Sequence, residues 1–283
     1  MAAGERDPGQ GGRRGKLPDE VAANLRNWEA RVATHAASAF YDLDGLVRTR
    51  RPRLDSIALA EVGAVAGKDL LHLQCHIGTD TLSWALLGAR VTGVDFSPGA
   101  LRVGAELAGR LGVEATFVES DIVSLDLGRR FDVVFASHGA LPWVSDMGRW
   151  VEAAARHLRP GGFLYVEDDH PVAQVFDADD RDLTGLRIHP DHPYFRAGPW
   201  REEWPGTYAD PEAVLPDPVS YQWMHPLGEI VQAVLDSGLR LEFLHEFPME
   251  HWQRFPFMTR DGEWWRIEGD PIPLLFSLRA RLD

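Results

Sequence analysis

Two periodicities alternate through the middle of the chain. From Asp69 onward, short apolar runs rich in β-branched residues (DLLHLQ, RVTGVD, ATFVES, FDVVFAS at 131–137, GFLYVED at 162–168) recur. Between them lie segments whose apolar residues return every three to four positions: TDTLSWALLG, PGALRVGAELAGRLG and the stretch around Trp150, Val151, Ala154 and Leu158. Continuous apolar runs suit strands buried on both faces, and the 3.6-residue return suits the helices that cover them. This rhythm predicts parallel βαβ units in a doubly wound α/β sheet. Gly88 and Gly112 fall where two of these helices end, as left-handed caps require.

The flanks behave differently. From Asp19 to about Ser38, Val21, Leu25, Trp28 and Val32 mark an amphipathic helix, directly followed by Phe40 and Tyr41. Residues 1–17, rich in Gly, Arg and Ala without apolar periodicity, are expected to be a disordered leader. After His170 the rhythm breaks into Asp, Pro and aromatic residues, so 171–224 reads as a cap insertion. A helix beginning at Pro226 and stopped by Gly238 resumes the pattern, followed by the strands LRLEFLHEF and, at 273–282, PLLFSLRARL. No crossover helix joins these two, which predicts an antiparallel last strand in a seven-stranded sheet. The expected organisation is one domain over 18–283, with its core at 65–170 and 225–283.

Composition narrows the partners. Acidic residues outnumber basic ones, 43 against 29, for a net charge of −14, which opposes nucleic-acid binding. No apolar run approaches the roughly 20 residues that span a bilayer. Cys75 is the only cysteine, so neither an internal disulfide nor a cysteine metal cluster can form, and a cytoplasmic location is expected. A monomer and a homodimer are both compatible with this composition.

After the first strand, LLHLQCHIGTDT occupies the turn where backbone amides of a doubly wound sheet face a ligand. Asp95 ends the next strand 17 residues beyond Gly78, close to the spacing of about 20 expected of an acid that grips ribose hydroxyls. With VTGVDFSPGAL, FVESDIVSL, FDVVFASHGALPWV and RHLRPGGFLYVED following in order, residues 65–170 resemble the class I S-adenosylmethionine-dependent methyltransferases of small molecules, with their Rossmann-like sheet. The first loop departs from that family's pattern: His72 stands for the usual acid, and Gln74 and His76 replace two glycines.

The resemblance implies S-adenosyl-L-methionine as cofactor and S-adenosyl-L-homocysteine as product. It implies that Gln74, Cys75 and Gly78 line the methionine and ribose, that Asp95 binds the ribose diol and that Phe96 packs on adenine. Asp121 would receive the adenine amino group, and Ile122 would supply an amide and an apolar wall. Ser137 would lie beside the sulfonium with His138 next to it, and Tyr41, with Trp28 and His35, would close over the cofactor. A nicotinamide-dependent oxidoreductase shares the strand, turn, helix and acid but needs the G-x-G-x-x-G that is missing here. A noncatalytic binding protein of the same descent is the other alternative.

The acceptor is expected beyond the carboxyl ends of the strands, beside His138, Trp143, Glu167 and His170. Six of the ten tryptophans follow residue 171, suggesting a pocket for a flat, indole-like or phenol-like molecule, with Trp143, Tyr221, Trp223 and Trp252 as its contacts. His170 in EDDHP, His225 in MHPLGE and Glu167 are the candidate bases. The HPDH run at 189–192 has metal-like spacing, but its two prolines deny it a helix. No metal is expected.

Overall fold

The structure, a computed structural model, describes residues 17–178 and 180–283. Apart from Leu17, the expected leader lies outside the described residues. The amphipathic N-terminal segment forms α1 (Asp19–Ala37), and two short helices follow, α2 (Leu43–Thr49) and α3 (Ser56–Val62). The alternating region then runs β1 (Asp69–Leu73), α4 (Thr79–Leu86), β2 (Arg90–Asp95), α5 (Pro98–Leu111), β3 (Ala115–Glu119), β4 (Phe131–Ser137), α6 (Met147–Arg156) and β5 (Leu158–Asp169). β5 begins four residues before the expected strand.

Local chemistry fixes the boundaries. Ser97 caps α5 by accepting the Ala100 N–H, Pro98 sits where a missing N–H costs nothing, and Gly112 closes the helix at φ +61°. Asp55 and Asp146 cap α3 and α6 in the same way, through Ala58 N and Arg149 N.

Residues 171–224 are mostly irregular, with a 3-10 turn at Pro171–Val175 and a two-stranded ribbon of β6 (Trp200–Glu203) and β7 (Val219–Gln222). Then come α7 (Leu227–Asp236), β8 (Arg240–Phe247), a small antiparallel sheet of β9 (Met249–Glu250), β10 (Thr259–Asp261) and β11 (Trp264–Arg266), and finally β12 (Leu275–Arg281). The sequence pattern did not reveal the small sheet, whose strands of two and three residues are too short for any periodicity.

The seven-stranded sheet has the order β3-β2-β1-β4-β5-β12-β8, and only β12 runs antiparallel. One face is covered by α6 and α7, with Trp150, Val151, Ile230 and Val234 packed on Leu71, Val134 and Phe276. The other is covered by α3, α4 and α5, with Trp84 against Leu70, Val133 and Tyr165. Full burial of an apolar side chain contributes about 1.5–3 kcal/mol, so the central strands need both layers. Order reverses between β1 and β4, the place where open α/β sheets bind ligands. No helix is long and apolar enough to cross a membrane among the described residues.

Candidate active site

Between β1 and α4 the chain makes three left-handed steps, Gln74 at φ +55°, His76 at +48° and Gly78 at +76°. A side chain normally costs about 1–2 kcal/mol in that conformation. Here the first two side chains make bonds that offset the cost. The Trp150 indole N–H donates to Gln74 Oε1 and Gln74 Nε2 donates to the Ala140 carbonyl, each at 2.8 Å. The His76 ring meets His35 at 2.8 Å. Only Gly78 is sterically compelled, because a Cβ there would stand 2.8 Å from the Phe117 ring. The loop therefore keeps the hand of a three-glycine turn with two glycines replaced.

Asp95, buried at the end of β2, closes this loop. It accepts the His76 N–H at 2.8 Å and the Ser97 N–H at 2.9 Å. Burial pushes its pKa up to about 6 against the pull of these amides. Phe96 is half-buried, Asp121 is raised by burial, Ile122 packs into the core, and burial raises the Cys75 thiol. Glu29 ties α1 over this end: its Oε1 accepts from Ser97 Oγ at 2.5 Å and from the Gly99 N–H at 2.8 Å.

The inner face of α1 carries Trp28, Arg31 and His35, spaced to share one side of a helix. Trp28 meets His76 and Trp143 edge to face, both at 5.1 Å between centroids. His35 is fully buried, with Nε2 2.5 Å from Thr207 Oγ1, and the Tyr41 and Tyr208 hydroxyls bond across the same cluster. Burial without a facing acid lowers the His35 pKa to about 2 and that of His76 to about 3, so both are neutral. Arg31 is only 4% exposed, and its guanidinium lies 5.0 Å from the Trp28 ring and 5.7 Å from the Trp143 ring. Its Nε has no hydrogen-bond partner. Burial lowers its pKa, while Tyr208, Glu202 and Tyr41 favour its charge.

A second cluster occupies the ends of β4 and β5. Ser137 Oγ donates to Asp80 Oδ2 at 2.9 Å, and His138 follows in a left-handed turn at φ +42°. Asp168 holds that turn by accepting the Gly139 and Leu141 N–H groups at 2.6 and 2.8 Å. His138 Nε2 stands 3.3 Å from Asp55 Oδ2, and His251 Nε2 stands 3.4 Å from Glu167 Oε1. The two imidazoles meet at 3.8 Å between centroids. Burial works against the charge of His138, but Asp55, Glu167 and Asp80 prevail and raise its pKa to about 10.

The structure redirects several sequence expectations. His170 has both ring nitrogens engaged, Nδ1 by the Val172 N–H at 3.1 Å and Nε2 by Glu246 at 2.8 Å, so it caps a 3-10 turn rather than presenting a free base. His225 is likewise bound, to the Val144 carbonyl at 2.8 Å and Glu229 at 3.3 Å. Tyr221 lines an outer groove of about 370 Å³ with Asp19, Ala23 and Arg26, and Asn24 Oδ1 accepts its backbone N–H. The Trp223 backbone N–H donates to the Pro142 carbonyl, and Trp252 is 38% exposed with Arg254 stacked on it. Of the expected acceptor contacts, only Trp143 joins the aromatic cluster of α1. Unforeseen members are Arg31, Asp55, Asp80, Asp168 and His251. Arg31 had a visible signal, a cation on the apolar side of an amphipathic helix, whereas His251 is brought in by a loop.

The fold and this site define a class. Residues 70–162 match the family described as "Methyltransferase domain", and this segment carries a methyltransferase domain of the class I, S-adenosylmethionine-dependent type. The chain is similar to a ubiquinone biosynthesis O-methyltransferase of Methylobacterium sp. (strain 4-46), 36% identical over 102 residues, covering 36% of this chain and 41% of that protein. It is also similar to a demethylmenaquinone methyltransferase of Renibacterium salmoninarum, 32% identical over 163 residues, covering 57% and 64%. The matched segment thus spans between about two fifths and two thirds of these relatives' length. A solved S-adenosylmethionine-dependent methyltransferase from Mesorhizobium loti shares the fold with a TM-score of 0.57 at 23% identity, over 84% of this chain and 99% of that one.

Proposed function

We propose that the chain transfers a methyl group from S-adenosyl-L-methionine to a small, ring-bearing acceptor of phenol-like or indole-like type. The observation that carries the reading is the left-handed 74–78 loop closed on Asp95 and overlain by the buried Arg31, whose Nε has no hydrogen-bond partner. A buried cation with an unsatisfied N–H is costly unless an acceptor arrives, and the cofactor's amino-acid end brings a carboxylate. Arg31 thus fits that carboxylate, Asp95 the ribose hydroxyls, Phe96 and Ile122 the adenine faces, and Asp121 the adenine amino group. Gln74, Cys75 and Gly78 form the floor beneath them.

When bound, the cofactor supplies a methyl group on a positively charged sulfur, passed in line to the acceptor and leaving S-adenosyl-L-homocysteine. The chain's own task is then positioning and water exclusion, which in favourable systems supply up to roughly 7–11 kcal/mol. Trp28, Tyr41, His35 and Tyr208 seal the cofactor side, and Trp143, His138 and Glu167 border the acceptor side. The names of the curated relatives, which concern ubiquinone and demethylmenaquinone, support a ring-bearing acceptor.

The test is transfer of labelled methyl from S-adenosyl-L-methionine to a panel of phenols and indoles. We expect label in at least one, lost in Asp95→Ala. Absence of label from the whole panel, with tight S-adenosyl-L-homocysteine binding intact, would favour a noncatalytic binding protein.

A further inference from the structure

The donor atoms of Asp55, His138, Glu167 and His251 all lie within 4.8 Å of one another, the one such convergence among the described residues. Two features distinguish this group from a chance meeting of charges. Asp55 and Glu167 are buried, Glu167 completely, and each has only one carboxylate oxygen in a hydrogen bond. Asp55 Oδ1 accepts the Ala58 N–H at 2.8 Å, and Glu167 Oε2 accepts the Tyr165 hydroxyl at 2.9 Å. The other oxygens, Asp55 Oδ2 and Glu167 Oε1, face the cluster without a hydrogen bond, as does His251 Nε2. Carboxylates pinned by one oxygen and presenting the other are oriented as metal-bound carboxylates are.

The spacing also suits an ion. Bonds of about 2.0–2.2 Å to nitrogen and oxygen place tetrahedral donors roughly 3.3–3.5 Å apart. The His138–Asp55 and His251–Glu167 separations are 3.3 and 3.4 Å. The remaining pairs lie within 4.8 Å. Two imidazoles with two carboxylates and no thiolate favour a borderline divalent ion of the first transition row. The supports are firm: Asp55 caps α3, Glu167 lies in β5, and His251 lies between Glu250 and Arg254, whose guanidinium pairs with Glu250 and Asp169.

We propose that these four residues form a divalent-cation site, with zinc as the representative ion, departing from the expectation of no metal. Resting on the methyltransferase reading, the ion held by these four residues would take a hydroxyl oxygen of the acceptor as an additional ligand and favour its ionised form, the proton passing to solvent. That narrows the acceptor class to phenol-like or other hydroxyl-bearing molecules.

The test is calorimetric titration of the chelator-treated full chain with zinc, alongside Co²⁺ absorption in the visible range and S-adenosyl-L-homocysteine titration of the same samples. We expect one ion per chain, bound roughly 100-fold more weakly in both Glu167→Gln and His251→Ala. His251→Ala, in a partly exposed loop, should keep wild-type S-adenosyl-L-homocysteine affinity, which separates ligand loss from unfolding. Absence of zinc binding, or equal affinity in the two variants and wild type, overturns the cation site while leaving the methyltransferase reading in place. Zinc binding weakened by the variants, without S-adenosyl-L-homocysteine binding, upholds the cation site and removes the methyltransferase reading.

Discussion

Two histidine pairs stand at the carboxyl end of the sheet, one among aromatic rings and the other against carboxylates. His35 and His76 meet at 2.8 Å among Trp28, Tyr41, Tyr208 and Thr207, with no acid against either ring. His138 and His251 face Asp55 and Glu167. Burial, helped by the nearby Arg31 charge, strips the first pair of protons, whereas carboxylates outweigh burial at His138. The same side chain therefore serves as neutral packing under a lid in one place and as part of a charge-binding group in the other. The lid side holds a buried cation, Arg31, whose Nε has no hydrogen-bond partner; the other side has carboxylates in excess.

The largest effect expected from this contrast is at Arg31. Arg31→Ala should weaken S-adenosyl-L-homocysteine binding on the order of 100-fold, since a buried charge pair loses about 2–5 kcal/mol when truncated. Calorimetry on the purified variant checks this, and an unchanged Kd would return Arg31 to a packing role.

Acidification should act on the neutral pair next. His35 and His76 have folded pKa values lowered to about 2 and 3, so their stability contribution is present above the unfolded value near 6.5 and is lost as pH falls below it. Each contributes up to about 1.4 kcal/mol per pH unit in that window. Asp95 and Asp168, raised by burial to about 6 and about 7, slope the other way: their contribution is full below the unfolded value near 4 and fades as pH rises through 6 to 7. Comparing variants isolates the histidines. Urea unfolding at pH 7.5 and 5.5 should show a smaller acid loss in the double variant His35→Gln, His76→Gln than in wild type; equal losses would contradict the assigned neutrality.

A smaller effect is expected at His170, which the structure uses as a cap. His170→Ala should lower unfolding free energy by about 1 kcal/mol while kcat/KM changes less than about threefold. A large fall in turnover at unchanged stability would restore His170 as the base. Least of all, Trp252→Ala, at an exposed ring stacked by Arg254, should leave the acceptor KM within about twofold, read by steady-state kinetics.

The sheet was legible because its elements repeat strand and helix periods over five to fourteen residues, and because the missing crossover before PLLFSLRARL dictates an antiparallel strand. Asp95 was legible for the same reason: its position follows from the end of β2. The acceptor end was less legible. Asp55, Glu167 and His251 come from a helix cap, a central strand and a loop after a two-residue strand, and no spacing in the chain relates them. His170 and His225 were attractive because they sit at element ends, which is also where a ring nitrogen satisfies an orphan backbone group. Tryptophan enrichment pointed beyond residue 171, yet the Trp252 ring is 38% exposed and covered by Arg254.

The most direct test of the central claim is calorimetric titration of the intact chain with S-adenosyl-L-homocysteine, in parallel with Asp95→Ala and with NAD as a control ligand. We expect one site with micromolar or tighter affinity, weakened at least tenfold by the substitution, and no response to NAD. Tight NAD binding without S-adenosyl-L-homocysteine binding would contradict it.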